Sequence, residues 1–360
     1  MSDSSKINFD YLKRTLIFKF DAGTSRGVLK TKEVFWIKAF YADQPDVIGW
    51  GEAAPLVKLS LDDREDFEGI LGKTLSEMCQ VAFVEDEIEV LNQLKELIPF
   101  ELPSIRFALE AAILDLKNGG QKKVLGNDFF EGNKTIPING LIWMGEKEFM
   151  LSQIKEKLSN GFNCIKMKIG AIDFQQELDL LSYIRDRFSK DQITLRVDAN
   201  GAFSPEDALK KLQQLAQYGL HSIEQPIAAG NWQAMKKLCE ATALPIALDE
   251  ELIGVRNKAE LLDKIQPQHI ILKPTLLGGI LETKEWIKLA EERNIGWWMT
   301  SALESNIGLN AVAQLADSLA ATIPQGLGTG KLYENNLHSP LEIDQGHIRY
   351  NSEIVWEQPS

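Results

Sequence analysis

From about residue 134 onward, short apolar runs alternate with amphipathic stretches at a pitch of roughly one strand and one helix. TIPINGLIW precedes a helical stretch from Glu146, and CIKMKIG precedes one from Phe174 to Phe188. TLRVDAN precedes a helix opened by Ser204, Pro205 and Glu206, with serine as N-cap and proline in the first turn. HSIEQP, PIALDE, HIILKP and GWWMTSALES continue the series. Alternation of this kind builds parallel βαβ units. About seven units can be counted, with a less regular eighth between 321 and 330, so a (β/α) barrel is expected ahead of a doubly wound open sheet.

The stretch before residue 130 has a different rhythm. YLKRTLIFKF (11–20) and EVFWIKAFY (33–41) read as strands joined by DAGTSRG (21–27), and GWGEAAPL follows from Gly49. Residues 62–97 and 103–117 read as helical. The expected organisation is therefore an α+β capping domain over 1–130 and a (β/α) barrel over 131–330. A C-terminal segment over 331–360 is expected to pack back on the cap.

Charged residues fall at the ends of the predicted strands. Lys168, Asp198, Glu224, Asp249 and Lys273 are separated by 30, 26, 25 and 24 residues, about one βα unit each. In a barrel they converge on the catalytic face. One charge in an apolar strand reads equally well as a strand-end cap or a surface ion pair. Five in series do not, because a buried charge is costly unless paired or bound to a metal.

Three carboxylates on neighbouring strands, with no histidine or cysteine beside them, form an all-oxygen set. Such a set suits a hard cation, Mg²⁺ before others, with Mn²⁺ as a substitute. His221, His269, His338 and His347 lack metal-ligand spacing, so zinc is disfavoured. Lys166 and Lys168 lie two apart on one strand and face the same way. Mutual repulsion lowers the pKa of one amine, which suits a general base. Lys273 approaches from the other side as a second base or as a fixed cation.

The 39 basic and 52 acidic residues give a net charge of −13, which disfavours nucleic acid and leaves a small anionic molecule as the expected partner. Cys79, Cys164 and Cys239 have no disulfide or zinc spacing. MSDSSKINFDYLKR lacks the apolar stretch of a signal peptide, and no run reaches membrane-spanning length. A cytoplasmic protein without membrane partners is expected, with homo-oligomer formation left open.

The motifs K-x-K (Lys166, Lys168), DAN (Asp198, Asn200), EQP (Glu224), LDE (Asp249) and LKP (Lys273) resemble the enolase superfamily, and more narrowly its muconate-lactonizing subgroup. The resemblance spans nearly the whole chain, including the capping domain. It implies a modified, enolase-like barrel whose Lys or His base works with one or two Mg²⁺ ions. It selects Asp249 among the consecutive acids 249–251, with Glu250 supporting the metal ligands. It makes DAGTSRG a mobile specificity loop in which Arg26 could reach a substrate carboxylate, an exposed surface arginine being the other reading. Asn200 and Ser301 are further candidate polar contacts.

GWGEAAPL and TSALESNIGLNAVAQLA, the latter from Thr300, resemble the branch of the subgroup that dehydrates a cyclohexadiene carboxylate. The D-x-D pair used by dipeptide epimerases to grip an amine is absent from the second segment. Racemases or epimerases and muconate cycloisomerases remain the alternatives within the superfamily. A barrel that only binds is the alternative outside it.

Overall fold

Strand β2 (Gly27–Tyr41) is buried on both faces over its second half, and this shapes the N-terminal unit. The computed structural model describes residues 6–24 and 27–360. β1 (Ile7–Thr24), β2 and β3 (Gln44–Ala53) form an antiparallel sheet in that order. Because side chains alternate along a strand, Phe35, Ile37 and Ala39 enter one core while Val34 and Trp36 enter another. The first core is roofed by α1 (Phe67–Met78), α2 (Glu87–Leu97) and α3 (Pro103–Lys117). The second faces the C-terminal unit. Within the stretch expected as a loop, residues 21–24 and Gly27 instead extend the ladder, with Ala22 paired to Leu29 and Gly23 to Val28 after a register shift.

α3 comes very close to β3. A Cβ on Gly49 would lie 2.1 Å from the Ala112 carbonyl oxygen, and one on Gly51 would lie 1.9 Å from that of Ala108. Only glycine permits this approach. Asp115 adds to it, accepting from the Trp50 amide at 2.8 Å.

After the short β4 (Ile136–Pro137) the parallel strands begin. They are β5 (Gly140–Ile142), β6 (Cys164–Lys168), β7 (Thr194–Asp198), β8 (Ser222–Glu224), β9 (Ile246–Leu248), β10 (His269–Leu272) and β11 (Gly296–Met299). They pair in sequence order. The intervening helices are α4 (Lys147–Ser159), α5 (Phe174–Arg185), α6 (Pro205–Leu215), α7 (Trp232–Ala241), α8 (Lys258–Ile265), the short α9 (Pro274–Leu277) and α10 (Ile280–Glu291). α6 starts as expected, with the Ser204 hydroxyl accepting from the Asp207 amide at 3.2 Å.

The irregular eighth unit is two residues of bridge. Gln325 pairs with Ile138 at one edge of the sheet and Gly326 with Thr300 at the other, so the seven strands curl into a barrel. α11 (Asn306–Ser318) precedes this closure.

The chain end divides its contacts. Residues 332–335 run along β1, with Lys19 N donating to Leu332 O at 2.9 Å and Glu334 N to Ile17 O at 2.9 Å. The hairpin of β12 (Leu341–Asp344) and β13 (His347–Tyr350) pairs with β4 instead. Among the described residues no helix is long and apolar enough to cross a membrane.

Candidate active site

In-register parallel pairing puts Lys168 beside Asp198 and Asp198 beside Glu224 at the carboxyl ends of β6, β7 and β8. Asp249 directly follows β9, and Lys273 follows β10 as the residue before α9. All five are buried. The spacing of about one βα unit thus becomes a ring at one end of the barrel. A cavity of about 1030 Å³ opens there, with Lys166, Lys168, Asp198, Asn200, Lys273 and Ser301 on its wall.

The amines and carboxylates interlock. Lys166 Nζ donates to Asp198 Oδ2 at 3.1 Å and to Glu224 Oε2 at 2.6 Å. Lys168 Nζ donates to the same Asp198 oxygen at 3.1 Å and to Asn200 Oδ1 at 2.7 Å. Lys273 pairs with Asp249. Lys168 also stands 5.9 Å from the centre of the Trp143 ring, a wall of the pocket that no motif announced.

These contacts set the charges. Burial favours a neutral Lys166, but Asp198 and Glu224 outweigh it and raise the amine. Burial likewise opposes the Lys273 ammonium, and Asp249 with Glu224 overcomes it. Asp198 would be raised by burial, yet Lys166 and Lys168 hold it well below the usual carboxylate range. Glu224 moves the other way, pushed up by burial and by the facing Asp198.

The three consecutive acids diverge. The Asp249 amide donates to Gln225 Oε1 at 3.1 Å while its carboxylate meets Lys273. Glu250 Oε1 accepts from Asn200 Nδ2 at 3.1 Å, so it supports the residue that supports Lys168. Glu251 turns away, accepting from Gln225 Nε2 at 3.0 Å and from the Gly230 amide at 2.7 Å. Asn200 and Gln225, just past Asp198 and Glu224, hold positive φ angles of 42° and 38°. Such backbone persists where surroundings over-determine it, and both side chains are bonded in place.

Ser301 lies on the wall beyond β11, its hydroxyl bonded to Glu304 Oε2 at 2.5 Å and to Thr329 at 2.8 Å. Arg26 lies outside the described residues. Gln225 went unread because the EQP motif draws attention to its carboxylate, and Trp143 because it stands in no charged motif. Glu304 lay within a segment read for its resemblance and for Ser301, not for its own bonds.

Whether the acids suit a cation can be judged from the site. Among the described residues no three His, Cys, Asp or Glu side chains form a ready metal cage as they stand. Lys166 stands between Asp198 and Glu224, and Lys273 is on Asp249. Glu224 Oε1, however, is buried without a hydrogen-bond partner. Its raised proton affinity in the face of another carboxylate marks a place short of positive charge. The donors are all oxygen, and they fit a hard divalent cation.

The Enolase C-terminal domain-like family matches residues 150–354. Over 95% of its length the chain is 45% identical to an o-succinylbenzoate synthase of Desulfotalea psychrophila, covering 98% of that protein. The crystal structure of MenC from the same organism superposes with a TM-score of 0.85 at 42% identity, covering 96% of this chain and all of that one. A dipeptide epimerase of Enterococcus faecalis, solved with Mg and L-Leu-L-Tyr, shares the fold at TM-score 0.83 and 21% identity, over 97% and 99% of the two chains. The chain belongs to the enolase superfamily and, within it, to the o-succinylbenzoate synthase family.

Proposed function

We propose that this chain removes water from 2-succinyl-6-hydroxy-2,4-cyclohexadiene-1-carboxylate to give 2-succinylbenzoate, a step of menaquinone biosynthesis in the cytoplasm. The observation that carries the reading is the meeting of Lys168 and Lys273, from strands four apart in the sheet, on the wall of one cavity beside buried carboxylates. Asp198, Glu224 and Asp249 would hold Mg²⁺, with Mn²⁺ as a substitute. A divalent cation there supplies electrostatic stabilisation of the charge that develops on the substrate carboxylate.

Lys168 takes the α-proton and returns it to the departing hydroxyl on the same face, which makes the elimination syn. Asn200 and Asp198 orient that amine. Lys273, kept charged by Asp249 and Glu224, steadies the developing anion from the other side. Lys166 is held charged between two carboxylates and fixes their positions.

The test is direct. Purified protein supplied with Mg²⁺ should consume the cyclohexadiene absorbance and form the aromatic product, and EDTA should stop it. No turnover with either metal would refute the reading. A two-base racemase is the second reading, because amines facing one centre from two sides also suit proton exchange. In heavy water an epimerase labels the α-carbon of its product, whereas dehydration removes that centre.

A further inference from the structure

The cavity wall after β11 is fixed from outside the barrel. Thr300, Ser301, Ala302 and Leu303 line it, and Leu303 has a φ of 65°, a left-handed conformation that a bulky side chain rarely adopts. The surroundings hold that turn from several directions. Leu303 N donates to Ser301 Oγ at 3.0 Å, and the Leu303 carbonyl accepts from the Tyr333 hydroxyl at 2.7 Å. Glu304 accepts from the Ala302 amide at 2.8 Å and from Thr275 Oγ1 at 2.5 Å, two residues past Lys273. The Ala302 carbonyl accepts from Lys32 Nζ at 2.5 Å.

Lys32 belongs to the capping sheet. It sits on β2 with the parity of Val34 and Trp36, so it faces the barrel, and only 4% of it is exposed. The charged groups that act on it are Glu304 from the wall and Glu52 from β3, and the same two carboxylates also face Tyr333 from the chain end. Glu52 in turn accepts from the Ser305 amide at 2.7 Å and the Gly308 amide at 2.8 Å. Burial draws the Lys32 amine down to about 8, against the pull of Glu304 and Glu52.

An apolar side chain would fill this junction at no cost in burying charge. It could not hold the Ala302 carbonyl or balance Glu304. We infer that Lys32 is a positioning residue for the proposed dehydration, setting the Ser301–Leu303 wall and so making the seating of the cap decide the shape of the substrate cavity. The inference rests on the reading of that cavity as the substrate site.

Steady-state kinetics of Lys32→Met, in Mg²⁺ and over a range of pH, test it. KM should rise about tenfold, the scale of one charge-assisted hydrogen bond, with kcat changed by less than about threefold and Tm unchanged or higher. In the wild-type enzyme kcat/KM should fall as pH rises through about 8, where the amine loses its proton. Lys32→Met should lack that limb. Tyr333→Phe, which removes the other carbonyl tether, should raise KM while keeping the limb. A wild-type enzyme active but without the alkaline limb would overturn the inference even if Lys32→Met failed to fold. So would a folded Lys32→Met with wild-type KM, or one whose kcat and Tm fell together. A wild-type enzyme that does not dehydrate the substrate overturns the substrate reading, and this inference with it.

Discussion

Lys166 and Lys168 donate to the same oxygen, Asp198 Oδ2, each at 3.1 Å. The shared carboxylate relieves the repulsion between two amines on one strand face, and their second partners separate their roles. Lys166 goes on to Glu224 and is fixed as an ammonium, whereas Lys168 goes on to the neutral Asn200 amide at the cavity wall. The amine without a second carboxylate is the one suited to moving a proton.

Lys168→Ala should therefore lower kcat by about 10³-fold or more, the upper range for removal of a general acid–base group. Circular dichroism, Tm and Mg²⁺ affinity should stay close to wild type. Stopped-flow absorbance at saturating substrate measures the loss. Near-normal turnover would remove Lys168 from the mechanism.

Asp198→Asn keeps an oxygen for the two lysines but removes the charge that would face a cation. Mg²⁺ should bind at least about tenfold more weakly, as befits one lost anionic ligand. Titration calorimetry on protein stripped with EDTA gives the value directly. An unchanged dissociation constant would count against Asp198 as a ligand.

Lys273 is kept charged by Asp249 and Glu224 against the effect of burial. If it works only as a fixed cation, Lys273→Arg should retain at least about tenfold more activity than Lys273→Ala. Arginine cannot act as a base at neutral pH. Equal losses in the two variants would favour a proton-transferring role, and heavy-water exchange would then have to reveal it.

The ring of strand-end charges was legible because parallel pairing in a barrel turns a regular interval along the chain into adjacency in space. Lys168, Asp198 and Glu224 needed nothing more than spacing and strand ends. The direction of each acid in 249–251 did not follow from spacing, since three consecutive residues at a strand end fan outward as the backbone turns. The resemblance picked Asp249, and the partner contacts give each acid its own direction. Lys32 and Glu52 were opaque for another reason. They act on residues about 250 to 270 positions away, across a cap–barrel junction that has no periodic signature. GWGEAAPL was noticed as a resemblance, but its physical content is local: two glycines admit α3, and Glu52 reaches Ser305.

The same junction carries a pH dependence of stability. Glu110, on α3, is fully buried, accepts from the Ile280 amide at the start of α10, and has Oε1 without a partner. Burial raises its carboxyl to about 8 from an ordinary 4.5. Between those values the folded state holds a proton that the unfolded chain releases, so this group's contribution to stability is full below the unfolded pKa and is lost as pH rises through the folded one. Glu110→Gln keeps a neutral side chain with an oxygen for the Ile280 amide at every pH. Wild type and variant should have similar Tm at pH 5, and the variant should gain on the wild type by a few degrees by about pH 8.5. Differential scanning calorimetry at matched ionic strength gives the difference curve. A difference that stays flat, or that closes with rising pH, would mean that Glu110 is charged in the folded protein and that the cap presents a buried anion to α10.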